Sequence, residues 1–461
     1  MLKRYIGDKA FYRRALTLAV PIMIQTGITN FVNMLDNLMV GTVGTETMTG
    51  VAVANQLIFI FNLCIYGAVS GAGIFTAQFH GKGDINGVRY TFRFKMIVCT
   101  LISALFSLIV LFKGDFLLGL YLKGEGSTAS AVLSEEIAHD YITIILIGLI
   151  PYAISQSYGS TLRETDRPKV PMYAGIIAVF VNLILNYLLI FGHFGLPKMG
   201  ARGAAIATVV SRFVEMIYVA IVAFVGKKSE FIIGAFKSLF VPLSLIKDMV
   251  LKGAPLMINE LLWSVGIAFI NQCYSVRGLA VVAADNIALT FFNVFSVVFM
   301  SIGISIGIIV GQMLGSGETD KVMDTAVKMR AFSVFTAIII GAVFVAFSGV
   351  IPLMYNTSGK VRFLAKWFMI VIALSMPVDA YAHASYFTLR SGGKIIITMI
   401  FDSFFVWLVS VPFAFFISRY TSLPILPFFA LSQGINIIKC FLGYCYVKKG
   451  SWIKNLVEDK G

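Results

Sequence analysis

The sequence predicts an all-α membrane protein with twelve transmembrane helices in two pseudo-symmetric six-helix bundles. Three observations predict this fold class. First, 58% of the 461 residues are hydrophobic and only 13% are charged, with a mean hydropathy of +0.87, whereas soluble proteins carry about 25% charged residues. Second, twelve windows are long and apolar enough to cross a bilayer as helices, which takes about 20 residues. Third, the first half of the chain resembles the second half.

The first six windows follow a basic N-terminal stretch. The opening MLKRYIGDKAFYRRALTLAV resembles a signal peptide, but its apolar run is too long and no small-residue cleavage site ends it. We therefore expect it to remain as helix 1. Polar connections such as HGKGD (80–84) and RETDRPK (163–169) separate the later windows. The six windows are 15–40, 49–79, 94–120, 136–162, 170–192 and 203–226.

The last six windows follow a polar stretch, residues 227–248, which we predict to be a cytoplasmic linker. The chain is thereby divided into an N-terminal lobe (1–226), the linker, and a C-terminal lobe (249–461). Several windows exceed the minimum length of a membrane span, which predicts tilted helices or helices that extend beyond the bilayer. The six windows are 249–274, 281–313, 324–354, 363–389, 395–418 and 425–447.

The two lobes are predicted to be repeats of one unit. When the chain is aligned with itself, AVPIMIQ (19–25) pairs with GAPLMIN (253–259), and the same offset pairs GIFTAQFHGKGD (73–84) with GIIVGQMLGSGE (307–318). An even number of helices in each repeat gives both halves the same orientation, related by an axis along the membrane normal. The identical pairs include Pro21/Pro255, Gly73/Gly307, Gln78/Gln312, Gly81/Gly315 and Gly83/Gly317.

The basic residues predict the orientation in the membrane. Of 37 Lys and Arg residues, 26 lie in the N-terminus, the even-numbered loops and the C-terminus, and 9 lie in or beside the odd-numbered loops. By the positive-inside rule, both termini of this multi-pass cell-membrane protein are cytoplasmic. Nucleic-acid binding, rather than membrane orientation, is the alternative explanation for the net charge of +14. However, no basic face interleaved with aromatic residues accompanies it, so we expect no nucleic-acid partner.

Three of the acids within the apolar windows are candidates for a functional role: Asp36, Glu260 and Asp379. A charged side chain at the bilayer centre costs about 2.5–3.5 kcal/mol on insertion scales, so such residues usually face a protein interior or a water-filled cavity. In the alignment of the two repeats Asp36 pairs with Ile270 and Glu260 with Thr26, and Asp379 likewise has no acidic counterpart. The architecture that both repeats share does not explain acids that occur in only one repeat. We therefore interpret these three acids as functional. The alternative is an acid that only holds helices together.

Two further polar patterns accompany the acids. Asn182 and Asn186 lie four residues apart on one face of helix 5, where their amide oxygens could coordinate a cation or join a proton's hydrogen-bond network. Asparagine pairs also bind membrane helices together. His383 lies one turn after Asp379 and could carry a proton. The alternative is that His383 is a buried, hydrogen-bonded histidine with a structural role. Asp402 is expected near the cytoplasmic interface.

The remaining motifs favour neither an enzyme nor a cofactor protein. HGKGD lacks the spacing of a phosphate-binding loop, and the five cysteines have no metal-ligand spacing. We find no nucleophile elbow, zinc motif or dinucleotide fingerprint. The glycines of GAVSGAG (67–73) and IGISIG (302–307) predict close helix packing.

The chain resembles multidrug and toxic compound extrusion (MATE) transporters over essentially its whole length. The motifs that carry the resemblance are Pro21 followed by Asp36, VGTVG (40–44), AQFHGKGD (77–84) and RPKVPMYAGIIAVFVNLILNYLLIFGHFGLPKMGARGAAIATVVSR (167–212). The last motif is the most specific. The resemblance implies twelve helices in two lobes and export of organic cations and other drugs in exchange for Na⁺ or H⁺.

The resemblance also implies two sets of site residues. Asp36 matches the family's acid in helix 1, and Asn182, Asn186 and Thr208 match positions around the same cation site, which would hold Na⁺ at Asp36, Asn182 and Asn186. Some archaeal members have an acid where this chain has Asn186.

In the C-terminal lobe, Asp379 matches the acid of NorM-like members. Together with Glu260 and His383, which the positions of the residues themselves suggest, we expect it to form a second site for a cation or the substrate. The helix 7 glutamate of NorM-like members would align near Trp263, so Glu260 lies one turn earlier than in that pattern.

The sequence therefore predicts a monomeric secondary antiporter that exports an amphipathic, cationic drug or toxic compound by alternating access. The coupling ion is Na⁺ or H⁺, and no cofactor is expected. A flippase for a lipid-linked oligosaccharide or another amphipathic metabolite is the alternative, and it would be favoured by an arginine-lined path, for which the sequence offers no intramembrane cluster. A channel would not explain one lone acid in each lobe.

Overall fold

Each predicted window is helical along most of its length in the computed structural model, which describes residues 5–122, 129–225 and 229–458. Residues 227 and 228 of the predicted linker and both extreme termini lie outside these ranges. Every regular element within them is helical. In the described part of the chain, eleven helices are long and apolar enough to cross a membrane, and a bent helix pair supplies a twelfth span.

The helices of the first repeat begin and end close to the predicted windows. The bent pair, α4 and α5, replaces the single helix predicted at 136–162, with a bend of 50° between the two segments. Pro151 in the first turn of α5 has no N–H to bond to the carbonyl of Ile147, so the hydrogen-bond ladder is interrupted at this point. The helices are α1 (Lys9–Gly41), α2 (Thr45–Lys82), α3 (Ile85–Leu122), α4 (Ala129–Ile147), α5 (Leu149–Glu164), α6 (Lys169–Phe191) and α7 (Ala201–Val225).

The second repeat has the same order of spans, with two of them interrupted. Its first helix begins at Leu243, inside the predicted linker and directly after Pro242. The eleventh span contains two π-helical turns, Ile400–Phe404 and Val406–Ser410. The helices are α8 (Leu243–Ser275), α9 (Leu279–Gly315), α10 (Thr319–Phe347), α11 (Gly359–Ser391), α12 (Ile395–Met399), α13 (Val411–Tyr420), α14 (Ile425–Gly434) and α15 (Ile437–Lys448).

The chain forms two compact units, and one boundary between them falls at the equivalent place in each repeat. One unit contains Ile24–Thr76 and Ile85–Met257; the other contains Ile258–Gly461 together with the residues up to Met23 and Ala77–Asp84. Met23 and Met257 pair with each other in the alignment of the two repeats. The first half of α1 therefore belongs with the second repeat, and the first half of α8 belongs with the first.

Glycines allow the close helix contacts in both units. In the first unit, Gly67 and Gly71 of α2 face Met257 and Gly253 of α8 with no room for a side chain. This confirms the predicted role of GAVSGAG. In the second unit, Phe387 of α11 covers Gly303 and Gly307 of α9.

The C-terminal stretch is attached to the end of α2. Gln78 donates from Nε2 to the carbonyl of Ser391 at 2.9 Å and accepts at Oε1 from the N–H of Leu456 at 2.7 Å. Lys82 donates to the carbonyl of Val457 at 2.9 Å. These contacts hold α2, α11 and the C-terminal stretch together within one unit.

Candidate functional site

The four residues predicted for the N-terminal site come together on three helices. Asp36 lies on α1, Asn182 and Asn186 lie on α6, and Thr208 lies on α7. Asn186 Nδ2 donates to Asp36 Oδ1 at 2.6 Å and to Asn182 Oδ1 at 3.0 Å. Asn182 Nδ2 reaches Thr208 Oγ1 at 3.4 Å. The site is thus a continuous set of oxygen and amide groups around one carboxylate.

The α6–α7 hairpin brings these groups to one level. Gly192 ends α6 in the left-handed conformation with φ 75°, which a residue with a side chain rarely adopts. A Cβ at Gly203 would lie 2.8 Å from the carbonyl carbon of Leu189, so glycine is needed for the approach of the two helices. Asn186 and Thr208 consequently face the same region.

The amide of Asn182 has two hydrogen-bonding orientations. In one, its oxygen accepts from Asn186 and its nitrogen faces Thr208. In the other, its nitrogen faces Asp36 at 3.0 Å from Oδ1 and 3.2 Å from Oδ2. The second suits the carboxylate, because the amide nitrogen then donates to a group that only accepts hydrogen bonds.

Asn186 has a buried oxygen without a donor. The residue is 1% exposed, and none of the described residues donates to its Oδ1. A buried acceptor without a partner costs free energy, commonly about 1–3 kcal/mol. A cation or an additional donor at this point would satisfy it.

Tyr141 is a neighbour of this site that sequence reasoning missed. It lies on α4, is 7% exposed, and has its hydroxyl beside Thr208. Its window is apolar and its spacing gives no signal, because the contact depends on how α4 packs against α7.

The second site is a cluster of charged side chains in the other unit. Asp379 and His383 lie on α11, Glu260 on α8, and all three belong to the same cluster as Asp402 of the first π-helical turn. Ser375 Oγ lies 3.5 Å from Asp379 Oδ2, and the ring of Phe299 lies edge-on to His383 with centroids 6.2 Å apart.

Asp402 also belongs to this cluster, which its position in the window did not predict. Its Oδ2 accepts from Asn259 Nδ2 at 2.8 Å, and its Oδ1 lies 4.0 Å from Lys439 Nζ. Asn259, fully buried, also accepts at Oδ1 from the N–H of Ser403 at 3.4 Å. The π-helical turn shifts the register of the helix, so distance along the sequence misjudges where this carboxylate points.

Lys439 was also not predicted as a site residue. It lies on α15 with its side chain 12% exposed, and its Nζ lies 5.3 Å from the centre of the Phe405 ring. A lysine in the middle of the last apolar window was the available signal.

The oxygen-rich N-terminal site differs in composition from a transition-metal centre. Among the described residues, no group of three or more His, Cys, Asp or Glu side chains is arranged to hold a metal ion. Hard cations such as Na⁺ bind to oxygen ligands of this kind, namely one carboxylate together with amide and hydroxyl oxygens.

The family comparison matches both repeats. A sequence model of the MatE family matches residues 21–188 and 255–416, well over half of the chain. The two matched segments begin at Pro21 and Pro255, which pair with each other in the internal alignment, so the comparison confirms the repeat.

Curated relatives and solved structures agree with this match. The chain is 25% identical over 449 residues to the probable multidrug resistance protein NorM of Thermotoga maritima, covering 96% of this chain and 94% of that protein. It is 24% identical to the probable multidrug resistance protein YoeA of Bacillus subtilis, covering 95% and 94%.

Two solved structures share the fold. One is a MOP superfamily transporter from Pyrococcus furiosus, with a TM-score of 0.85, 17% identity and 97% coverage of both chains. The other is a mutant of the MATE transporter VcmN of Vibrio cholerae, with a TM-score of 0.86, 16% identity, and coverage of 96% and 98%. The twelve-helix, two-lobed fold predicted from the sequence is therefore confirmed.

Proposed function

The chain belongs to the MatE family, and we propose that it is a secondary multidrug efflux antiporter of the cell membrane. It exports amphipathic, cationic compounds in exchange for Na⁺ or H⁺ by alternating access. The names of the NorM and YoeA relatives, and the membrane spans of this chain, support export of small molecules across a membrane. The transporter acts as a monomer with both termini in the cytoplasm.

The observation that carries this proposal is the pairing of Asp36 with a buried amide oxygen that lacks a donor. The carboxylate accepts from Asn186 Nδ2 at 2.6 Å, while Asn186 Oδ1 has no donor among the described residues. One added proton or one bound cation would neutralise the first group, and a cation would also satisfy the second. One proton or one monovalent cation would therefore balance the negative charge of the Asp36 carboxylate.

Charge neutralisation explains the coupling. A charged carboxylate in a dry, closed site is costly, so the protein changes conformation readily only after Asp36 is neutralised. If the ion is Na⁺, the oxygens of Asn182, Asn186 and Thr208 complete its coordination. If it is H⁺, the same groups hydrogen-bond to the carboxylic acid. Either ion ties its own entry to the export of the drug.

Asp379, Glu260 and His383 serve the cationic substrate or a second ion in the other unit. Their carboxylates attract a cationic head group, and His383 adds a proton acceptor. On this proposal, loss of the Asp379 charge weakens the transport of cations more than that of neutral compounds.

The decisive experiment measures export of ethidium from lipid vesicles that contain the purified full-length protein. Na⁺ and pH gradients are imposed separately, and the gradient that drives export identifies the coupling ion. Asp36→Asn should fold normally and lose gradient-driven export. Asp324→Asn is the matched control, because Asp324 is half exposed on α10 and pairs with Lys328 at 2.6 Å, and neither residue belongs to either site.

Gradient-driven export by a well-folded Asp36→Asn protein at the wild-type rate would refute the role of Asp36. If the wild-type protein exports no organic cation under either gradient but translocates a lipid-linked oligosaccharide, the flippase alternative replaces the antiporter.

A further inference from the structure

The acidic cluster of the second unit contains its own cation. Lys439 Nζ lies 4.0 Å from Asp402 Oδ1, and the lysine side chain is 12% exposed. Lys439 precedes Lys448, the end of α15, by nine residues, which places it roughly 14 Å from that end of the helix. It therefore lies in the middle of the last span, too deep for the simple interfacial position that terminal lysines take.

Asp402 is held in place to receive this cation. Asn259 Nδ2 donates to its Oδ2 at 2.8 Å, which leaves Oδ1 directed toward Lys439. The Asn259 oxygen is in turn held by the N–H of Ser403 at 3.4 Å. The carboxylate is thus oriented by neighbouring groups, and its second oxygen faces one ammonium group.

The other charged groups of the cluster come from three helices. Asp379 and His383 of α11 lie within electrostatic reach of Lys439, and Cys440 follows Lys439 on α15. Glu260 of α8 interacts with Asp402 and with Arg390 and Tyr386 of α11. Among the described residues, the cluster therefore combines three carboxylates with the ammonium group of Lys439, the guanidinium group of Arg390 and the imidazole of His383.

The arrangement has a consequence for any mobile cation. A Na⁺ ion or a cationic head group that approaches Asp402 or Asp379 must share these carboxylates with the ammonium group of Lys439. Like charges repel strongly where water is scarce, so the fixed lysine lowers the affinity for a second cation. A neutral compound of the same shape experiences no such repulsion.

We propose that Lys439 is a tethered counter-cation that sets the charge selectivity of the acidic cluster, keeping Na⁺ out and limiting the affinity for cationic substrates. This inference rests on the proposed function, in that it assigns the cluster to substrate cations. On this inference the coupling ion binds at the Asp36 site and not at the acidic cluster. Lys439 is the fixed occupant of the position beside Asp402, and an exported cation displaces it from the carboxylates.

The test measures binding to the purified full-length protein in detergent. The probes are tetraphenylphosphonium, a monocation, and triphenylphosphine oxide, a neutral compound of similar shape. Lys439→Gln should tighten tetraphenylphosphonium binding by about tenfold, equivalent to removal of one moderate charge repulsion, and leave binding of the neutral probe unchanged. Lys439→Arg should behave like the wild type. Lys448→Gln is the matched control, since Lys448 lies at the end of the same helix against the Tyr444 ring.

A second measurement uses Na⁺ alone. Na⁺ should raise the unfolding temperature of Lys439→Gln more than that of the wild type, because a ligand that binds only the folded state stabilises it. The additional stabilisation should disappear in Lys439→Gln/Asp402→Asn, which lacks both charges of the pair. That double variant also keeps the test valid if the single variant does not fold.

Equal or weaker tetraphenylphosphonium binding by folded Lys439→Gln would overturn the inference, as would equal changes for both probes, which indicate a purely structural pair. Where only the double variant folds, a Na⁺ stabilisation of that variant larger than that of the wild type would overturn the inference, because the Asp36 site is the same in both proteins. Failure of the wild-type protein to export any cation would instead count against the proposed function, since the binding measurements do not depend on transport.

Discussion

Single residues in the membrane interior carry charges that neighbouring groups must compensate. Lys95 of α3 is fully buried, and its Nζ contacts Glu164 Oε2 at 2.5 Å, Ser160 Oγ at 3.0 Å and Thr161 Oγ1 at 3.3 Å. Ser160 also donates to Glu164 Oε1 at 2.6 Å. All three N–H groups of the ammonium thus have acceptors on α5. The pair orients α3 against α5, and removal of one partner would leave an unpaired buried charge.

We expect Lys95→Met to destabilise the protein by about 3–5 kcal/mol, the usual cost of breaking a buried ion pair from one side. Lys95→Met/Glu164→Gln should recover much of this loss, because no buried charge remains. Thermal unfolding in detergent measures both. The control is Lys328→Met, which removes the partly exposed pair with Asp324 and should cost less than about 1 kcal/mol. A Lys95→Met protein as stable as the wild type would show that water reaches Glu164.

At the scale of helices, the contact between α2 and α8 depends on backbone proximity. Gly71 faces the Cα and N of Gly253, and the Gly253 Cβ position is itself 3.1 Å from the carbonyl oxygen of Gly67. Because these neighbours are backbone atoms, they cannot rotate away as a side chain could. An added methyl group must therefore separate the helices.

Gly71→Ala should destabilise the folded protein by about 1–3 kcal/mol, as overpacking of a close contact does. Gly114→Ala in α3 is the matched control, since the nearest atom to its Cβ position is a side-chain carbon of Val110 at 3.7 Å. The free energy of unfolding in detergent, compared between the two variants, checks this. Equal stability of the two variants would mean that α2 and α8 separate without cost.

On the scale of the whole molecule, the repeat and the charge distribution together determine topology. Gly83 and Gly317 end equivalent helices with φ of 78° and 81°, so both repeats turn at the same place. The helices that follow these turns carry Arg89, Arg93, Lys321 and Lys328 near their beginnings, as expected on the cytoplasmic side.

A tag inserted beside Gly317 or within 229–240 should therefore be cytoplasmic, and a tag beside Thr357 should be external. Labelling of intact cells with a membrane-impermeant reagent distinguishes the two sides, with permeabilised cells as the control for tag accessibility. Labelling of the 229–240 tag in intact cells would contradict the arrangement of six plus six spans.

The sequence by itself determined the number of spans and the repeat, and its resemblance to MATE transporters placed Asn182, Asn186 and Thr208 beside Asp36. Hydropathy and helical periodicity are properties of adjacent residues, and the asparagines that meet Asp36 lie four residues apart on one helix. A family motif covers the same stretch. These features required no knowledge of how distant helices pack.

Only the tertiary structure decided which residues form the second site and to which unit the first halves of α1 and α8 belong. Asp402 and Lys439 lie on different spans, and a π-helical turn sets the direction of the carboxylate. The proline at 151 was visible in the sequence, but whether it bends, breaks or merely starts a helix depends on the neighbouring helices. Side-chain contacts between separate spans depend on packing angles and register, and those are properties of the folded chain rather than of any local sequence pattern.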